Sequence, residues 1–211
     1  MFNEITLMNF SKTDELFARL SEVVDHPLYE DRPRFKLALT LAISSMQYSD
    51  AVRLLCSQGL ILGIGTTLRS QYEAIVRSVW VLYCATDLQV EKLDAVLNAE
   101  TQQASKNIPL VNSMLGELDK IPQVANLLVA LHEFKDSSWL PLNSFVHAGI
   151  HAVFWTKHKA PPELLEQLFR ISNGLNILAF QTIGILTGIP DIQKKIISVA
   201  SSYSECLPKP R

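Results

Sequence analysis

The sequence predicts an all-α protein, a single-domain bundle of about seven to nine helices. Three observations lead there. Apolar residues recur at helical spacing along most of the chain. Prolines and glycines fall where helices begin and end. No sustained two-residue alternation and no Asn-Gly or Asp-Gly hairpin turn signals a strand. With 211 residues, 48% of them hydrophobic, the chain can bury a substantial core. One domain over 1–207 is expected, with the tail 208–211 disordered.

A first helix starts after Ser11 or Thr13, with Asp14 and Glu15 in its first turn. Leu16, Phe17, Leu20, Val23 and Val24 form its apolar side, and His26-Pro27 ends it. A second begins near Pro33, where a missing N–H costs nothing, and runs to Gln58 with Gly59 as its stop. The run Gly63-Ile64-Gly65 fits either a helix extension or a tight turn. It lacks the third glycine and the preceding strand of a phosphate loop, so no cofactor is expected. A third helix covers 66–85. Asp87 caps the next, whose outer face is polar (Gln89, Glu91, Lys92, Asn98, Glu100, Gln102, Gln103). Pro109 and Pro122 punctuate shorter helices over 110–118 and 123–134. Another helix starts between Trp139 and Pro141 and reaches Phe154. Pro161-Pro162 opens a long helix to Leu186, closed by Gly188, and Pro190-Asp191 opens the last, to Cys206.

Composition excludes several function classes. Net charge is −2, and the densest basic clusters, Lys157-His158-Lys159 and Lys194-Lys195, are short, so charge gives no support for RNA binding. Cys56, Cys84 and Cys206 are odd in number and lack zinc or disulfide spacing. Met1-Phe-Asn-Glu4 does not begin a secretory signal. The most apolar stretch, 175–189, is interrupted by Asn176, Gln181 and Thr182 and is shorter than the about 20 apolar residues of a membrane span. These features together predict a cytoplasmic protein that does not enter a membrane.

Two helices carry polar stripes. On 66–85, Leu68, Tyr72, Ile75, Val76, Val79, Trp80, Leu82 and Tyr83 make a helix apolar nearly all round, which belongs at the centre of a bundle. Arg69, Glu73 and Arg77 recur on it every four residues, so Glu73 can meet either arginine. On 139–154, Asn143, His147 and His151 repeat the same step amid Trp139, Leu142, Phe145, Val146, Ile150, Val153 and Phe154. Gly149 there permits close approach of a neighbour. Two such stripes are most simply accommodated facing each other, as a structural ion-pair network or as a functional site. His147 and His151 have the spacing of a metal pair, with Glu73 or His158 as a third ligand, but Ala148 stands where a zinc protease needs its glutamate. No nucleophile elbow occurs, and no histidine adjoins a cysteine.

The runs Leu68-Arg-Ser-Gln-Tyr-Glu-Ala-Ile-Val-Arg-Ser-Val-Trp80 and Leu142-Asn-Ser-Phe-Val-His-Ala-Gly-Ile-His151 resemble a group of bacterial all-helical proteins of unknown function. That group is similar to the HEPN-like helical superfamily, which includes abortive-infection proteins. The resemblance implies a helical homodimer and a link to phage defence or toxin–antitoxin systems. HEPN-type ribonucleases carry an arginine followed one to two turns later by a histidine on the same helix. Two copies of that motif meet across a homodimer. The histidine serves acid–base cleavage and the arginine stabilises phosphate charge. His147 matches the histidine and Asn143 the polar residue after the arginine. Leu142 stands in the arginine's place, which leaves Arg69 or Arg77 to supply that charge from another helix.

Two functional readings follow. The first is a non-enzymatic module acting as a homodimer or through a protein partner. The second is a ribonuclease or toxin-like effector with His147, Arg69, Glu73, Arg77 and Asn143 as its working groups. A metal-dependent hydrolase built on His147, His151 and Glu73 ranks third.

Overall fold

The computed structural model describes residues 8–209. Among them are ten α-helices, three short 3-10 turns and no strand: α1 Phe10–Val24, α2 Pro33–Ser57, α3 Ile61–Tyr83, α4 Asp87–Leu93, α5 Ala99–Ala104, α6 Val111–Leu118, α7 Ala125–Val146, α8 Ile150–Lys157, α9 Pro162–Thr187 and α10 Ile192–Ser201. The all-α bundle expected from the sequence is therefore the fold. None of the described helices is long and apolar enough to cross a membrane. The expectation for Met1–Glu4 lies outside the described residues, as do the last two positions of the 208–211 tail.

Four long helices make the frame. The α2–α3 corner turns at Gly59, whose φ of +68° puts it in the left-handed region. Leu60 N–H donates to the Leu55 carbonyl and Gly59 N–H to Cys56, the bond pair of a Schellman cap. The chain then reverses, and Ser78 Oγ donates to the Ala38 carbonyl (2.6 Å) while Ser45 Oγ donates to that of Gln71 (3.1 Å). Rising numbers on one helix meet falling numbers on the other, so α2 and α3 are antiparallel. The same logic sets α7 against α3: Gly65 meets Phe145, and the Tyr72 hydroxyl donates to Leu131 O at 3.0 Å. Gln71 and Ser172 lock α9 in place by two exchanged bonds, Gln71 Nε2 to Ser172 O (2.9 Å) and Ser172 Oγ to Gln71 Oε1 (2.7 Å). Buried polar groups need such partners, and here they also fix helix register.

At the centre of this frame, α3 buries Leu68, Tyr72, Ile75, Val76, Val79 and Trp80 almost completely, as its all-round apolar pattern requires. A smaller apolar cluster joins α1 and α10 to α9 through Leu16, Leu20, Phe180 and Ile196.

Several boundaries differ from the sequence reading. Asn9, ahead of Ser11 and Thr13, caps α1: its side chain accepts from Lys12 N–H. The stretch Gly63-Ile64-Gly65 is the first part of α3, not a turn. Thr86 rather than Asp87 caps α4, in a reciprocal capping box with Gln89. The polar helix expected across 89–103 is split into α4 and α5. The last helix ends at Ser201, and a 3-10 turn carries the chain to Cys206.

The largest correction concerns 139–154, which is not one helix. α7 continues through Pro141 to Val146, the chain breaks at His147–Gly149, and α8 starts at Ile150. Proline inside a helix removes one backbone bond and crowds the preceding turn, yet here it does not end the helix. The break is a second Schellman cap. Gly149 N–H donates to Ser144 O (2.7 Å), Ala148 N–H to Phe145 O (3.4 Å), and Ala148 takes the left-handed conformation at φ 50°.

Candidate functional site

On α3, Arg69 and Glu73 form the contact that their spacing allows: Arg69 Nε lies 2.8 Å from Glu73 Oε1, with both side chains mostly covered. The Arg69 guanidinium also lies over the Trp139 ring at 4.9 Å from its centroid. Cation–π stacking of this kind contributes about 0.5–2 kcal/mol depending on desolvation. Trp139 in turn meets Tyr72 edge-on, and Tyr72 stacks on Phe134. The partner that the sequence reading did not assign to Arg69 is thus an aromatic ring on α7. A tryptophan four residues ahead of Asn143 was the available signal.

The second stripe does not exist as a stripe. Asn143 is on α7, His147 is the residue that caps its C-terminus, and His151 is in the first turn of α8. His147 is exposed, whereas Asn143 and His151 are partly buried. His151 reaches Phe145, at 6.1 Å between ring centroids, and its backbone N–H donates to Ser144 Oγ at 2.9 Å. Gly149 does allow a close approach, though to Ser144 and not to a separate helix: a Cβ there would stand 2.7 Å from Ser144 Oγ.

Four side-chain atoms of the two predicted stripes are buried without a hydrogen-bond partner: Arg69 Nη1, Arg77 Nε, Asn143 Oδ1 and His151 Nδ1. An unmet buried polar group costs about 1–3 kcal/mol, so their concentration among the predicted site residues is notable. Among the described residues, no three of His, Cys, Asp or Glu are placed to hold a metal ion. His147, His151 and either Glu73 or His158 are therefore not assembled as a ligand set. Clefts of about 350 and 320 Å³ lie beside α9 where Pro208 and Lys209 cross it, and their walls include Phe134, Ile171, Leu175 and Arg170. No residue of either stripe lines them.

The surface around the α7–α8 junction is more unusual than its interior. α8 buries one residue, Ala152, while Ile150 (78% exposed), Val153 and Phe154 face outward. Leu140 and Val146 on the end of α7 are exposed as well. Phe154 makes ring contacts with Trp155 and His158. The signal for this surface was Ile150, Val153 and Phe154, which the single-helix reading placed among the apolar residues around its polar line.

An all-helical domain of this kind, with charged residues tied to aromatic rings and an apolar helix left outside, defines a structural class and not an activity. The chain belongs to a family of unknown function, DUF6988, whose family model matches residues 42–209 and so covers both predicted site segments and α8. No curated protein and no solved structure matches it.

Proposed function

We propose that this protein is a non-enzymatic binding module that self-associates through the face made by α8 and the end of α7. One observation carries the reading: a helix of eight residues that exposes Ile150, Val153 and Phe154 and buries only Ala152. Single exposed apolar residues are ordinary, but a contiguous group of them marks an interaction surface. The stripes support the same reading. Arg69 is held by Glu73 and Trp139, and the predicted polar line on 139–154 is divided between two helices. A homodimer also accords with the HEPN-like resemblance of the two motifs, and with it a role in phage defence or a toxin–antitoxin system.

The test is native mass by light scattering across a concentration series. Wild type is expected to be dimeric, and Ile150→Glu/Phe154→Glu monomeric with an unchanged helical spectrum. A wild type that stays monomeric at every concentration would sink the reading.

A HEPN-like ribonuclease, with His147 as acid–base and Arg69 or Arg77 as the phosphate-stabilising charge, is favoured by the four unpartnered polar atoms and by the exposure of His147 beside the proposed interface. Cleavage of single-stranded RNA by purified protein, lost in His147→Ala at unchanged melting temperature, would establish it. Absence of cleavage by wild type would dismiss it.

A further inference from the structure

Two surface segments of opposite character lie at opposite ends of α3. Residues 137–162 contain no Asp or Glu but hold Lys157, Lys159 and three of the five histidines, His147, His151 and His158. This segment includes α8, which sits by the start of α3 because Phe145, just ahead of it, packs on Gly65. Residues 87–100 carry Asp87, Glu91, Asp94 and Glu100 against the single base Lys92. They too expose apolar side chains: Leu88, Val96 (84%) and Leu97 (85%). They follow the far end of α3, where Arg34 joins the Val81 carbonyl (2.7 Å) to Asp87 (2.9 Å). With a rise of about 1.5 Å per residue, the 16 residues of α3 from Gly65 to Val81 separate the two anchor points by roughly 24 Å. Between α4 and α5 a cleft of about 170 Å³ is walled by Leu88, Ala95 and Thr101 and edged by Glu91 and Lys92.

We propose that the α8 face of one copy docks on the α4–α5 segment of a second copy. The inference rests on the self-association reading above and names the surface that α8 meets. The exposed Ile150 and Phe154 supply apolar knobs and the α4–α5 cleft a hole. Lys157 and Lys159 face the carboxylates of that segment, Glu91 at the cleft's edge and Asp94 and Glu100 nearby in sequence. Complementary charge of this kind selects partners and fixes register. Contact of α8 with α8 would instead set two acid-free segments against each other. The proposed dimer has a two-fold axis perpendicular to α3 that sets the two copies antiparallel. It makes both contacts at once, each residue pair occurring twice.

Charge reversal tests this at micromolar concentration. Lys157→Glu/Lys159→Glu forms one variant and Glu91→Lys/Asp94→Lys/Glu100→Lys the other, all at exposed positions. Each alone is expected to halve the scattering mass, with helical content retained. An equimolar mixture is expected to regain the dimer: the reversed charges complement each other in one contact and the native pair remains in the other. High salt should weaken the wild-type dimer. If the acidic-segment variant stays dimeric while Ile150→Glu/Phe154→Glu dissociates, this inference is overturned and self-association through α8 stands. A mixture that fails to recover overturns the reciprocal contact. If wild type is monomeric throughout, both readings fall together.

Discussion

The α7–α8 junction offers two neighbouring substitutions with opposite expected signs. Ala148 holds the left-handed position of the cap at φ 50°, which costs a side-chain-bearing residue about 1–2 kcal/mol. Ala148→Gly removes that strain and gives back about 0.4–1 kcal/mol through a freer unfolded chain, for a net gain of about 0.5–1 kcal/mol. Gly149 has an ordinary negative φ, so its cost is steric. A Cβ there meets Ser144 Oγ at 2.7 Å and Ser144 Cα at 3.3 Å. The hydroxyl can rotate away, but only by releasing the N–H of His151 that it accepts at 2.9 Å. Losing a cap of this kind costs about 1 kcal/mol, and the backbone Cα cannot withdraw. After the entropy gained by removing glycine, Gly149→Ala loses about 1 kcal/mol. In a chain of this size each kcal/mol shifts melting by about 2–4 °C. Thermal circular dichroism should therefore show Ala148→Gly melting above wild type and Gly149→Ala below it. The reverse order would refute the geometry of the junction, and with it the placement of α8.

A matched pair of glycines on other helices should also diverge. A Cβ at Gly65 would stand 2.5 Å from Phe145 Cδ2 and 3.0 Å from its Cβ, whereas Gly116 has open space around it. Overpacking costs about 1–3 kcal/mol and relief of helical glycine returns about 1 kcal/mol. Gly65→Ala is expected to lower the urea midpoint and Gly116→Ala to raise it; equal shifts would contradict the α3–α7 contact. Alkaline conditions supply a test of burial. Cys56 is fully covered, and burial pushes its thiol up to about 12, with the Tyr72 phenol raised for the same reason and by the nearby Asp136. The native chain therefore keeps protons that the unfolded chain releases. The contribution of these two groups to stability is complete below about pH 9 and declines as pH rises toward 12. A urea midpoint that stays flat across that range would count against the burial of both groups.

How far the sequence could be read depends on which signals are local. Pro33, Gly59, Pro162 and Gly188 act through their own backbone geometry, so the ends they mark were legible. The centrality of α3 was legible because a helix apolar all round has no other place to go. The Arg69–Glu73 pair followed from one turn of spacing. The α7–α8 break was not legible, because its punctuation is displaced. Ala148, not the adjacent Gly149, takes the left-handed conformation, and Pro141, which invites a helix start, lies inside α7. That one displacement turned a line of Asn143, His147 and His151 into three residues with different surroundings. The α4–α5 division was lost for a similar reason: 94–98 holds neither proline nor glycine.

The break also bears on where function resides. An isolated helix of eight residues is too short to be stable in water, since nucleation is costly and helical stability in proteins comes chiefly from packing an apolar face. α8 has the apolar residues for such packing but spends most of them on the surface, burying Ala152 and half-burying Trp155. Its N-terminus is held by Ser144 and the junction by Phe145 on Gly65. These contacts fix where α8 starts and leave Ile150, Val153 and Phe154 exposed. The partly buried pair of Arg69 and Glu73 has internal partners for its charge, the ion pair itself and the Trp139 ring. The exposed side of α8 has no comparable internal complement, while 87–100 presents exposed apolar side chains and opposite charge at the other end of α3. That is the ground on which self-association is proposed through α8 and not through the interior between α3 and α7.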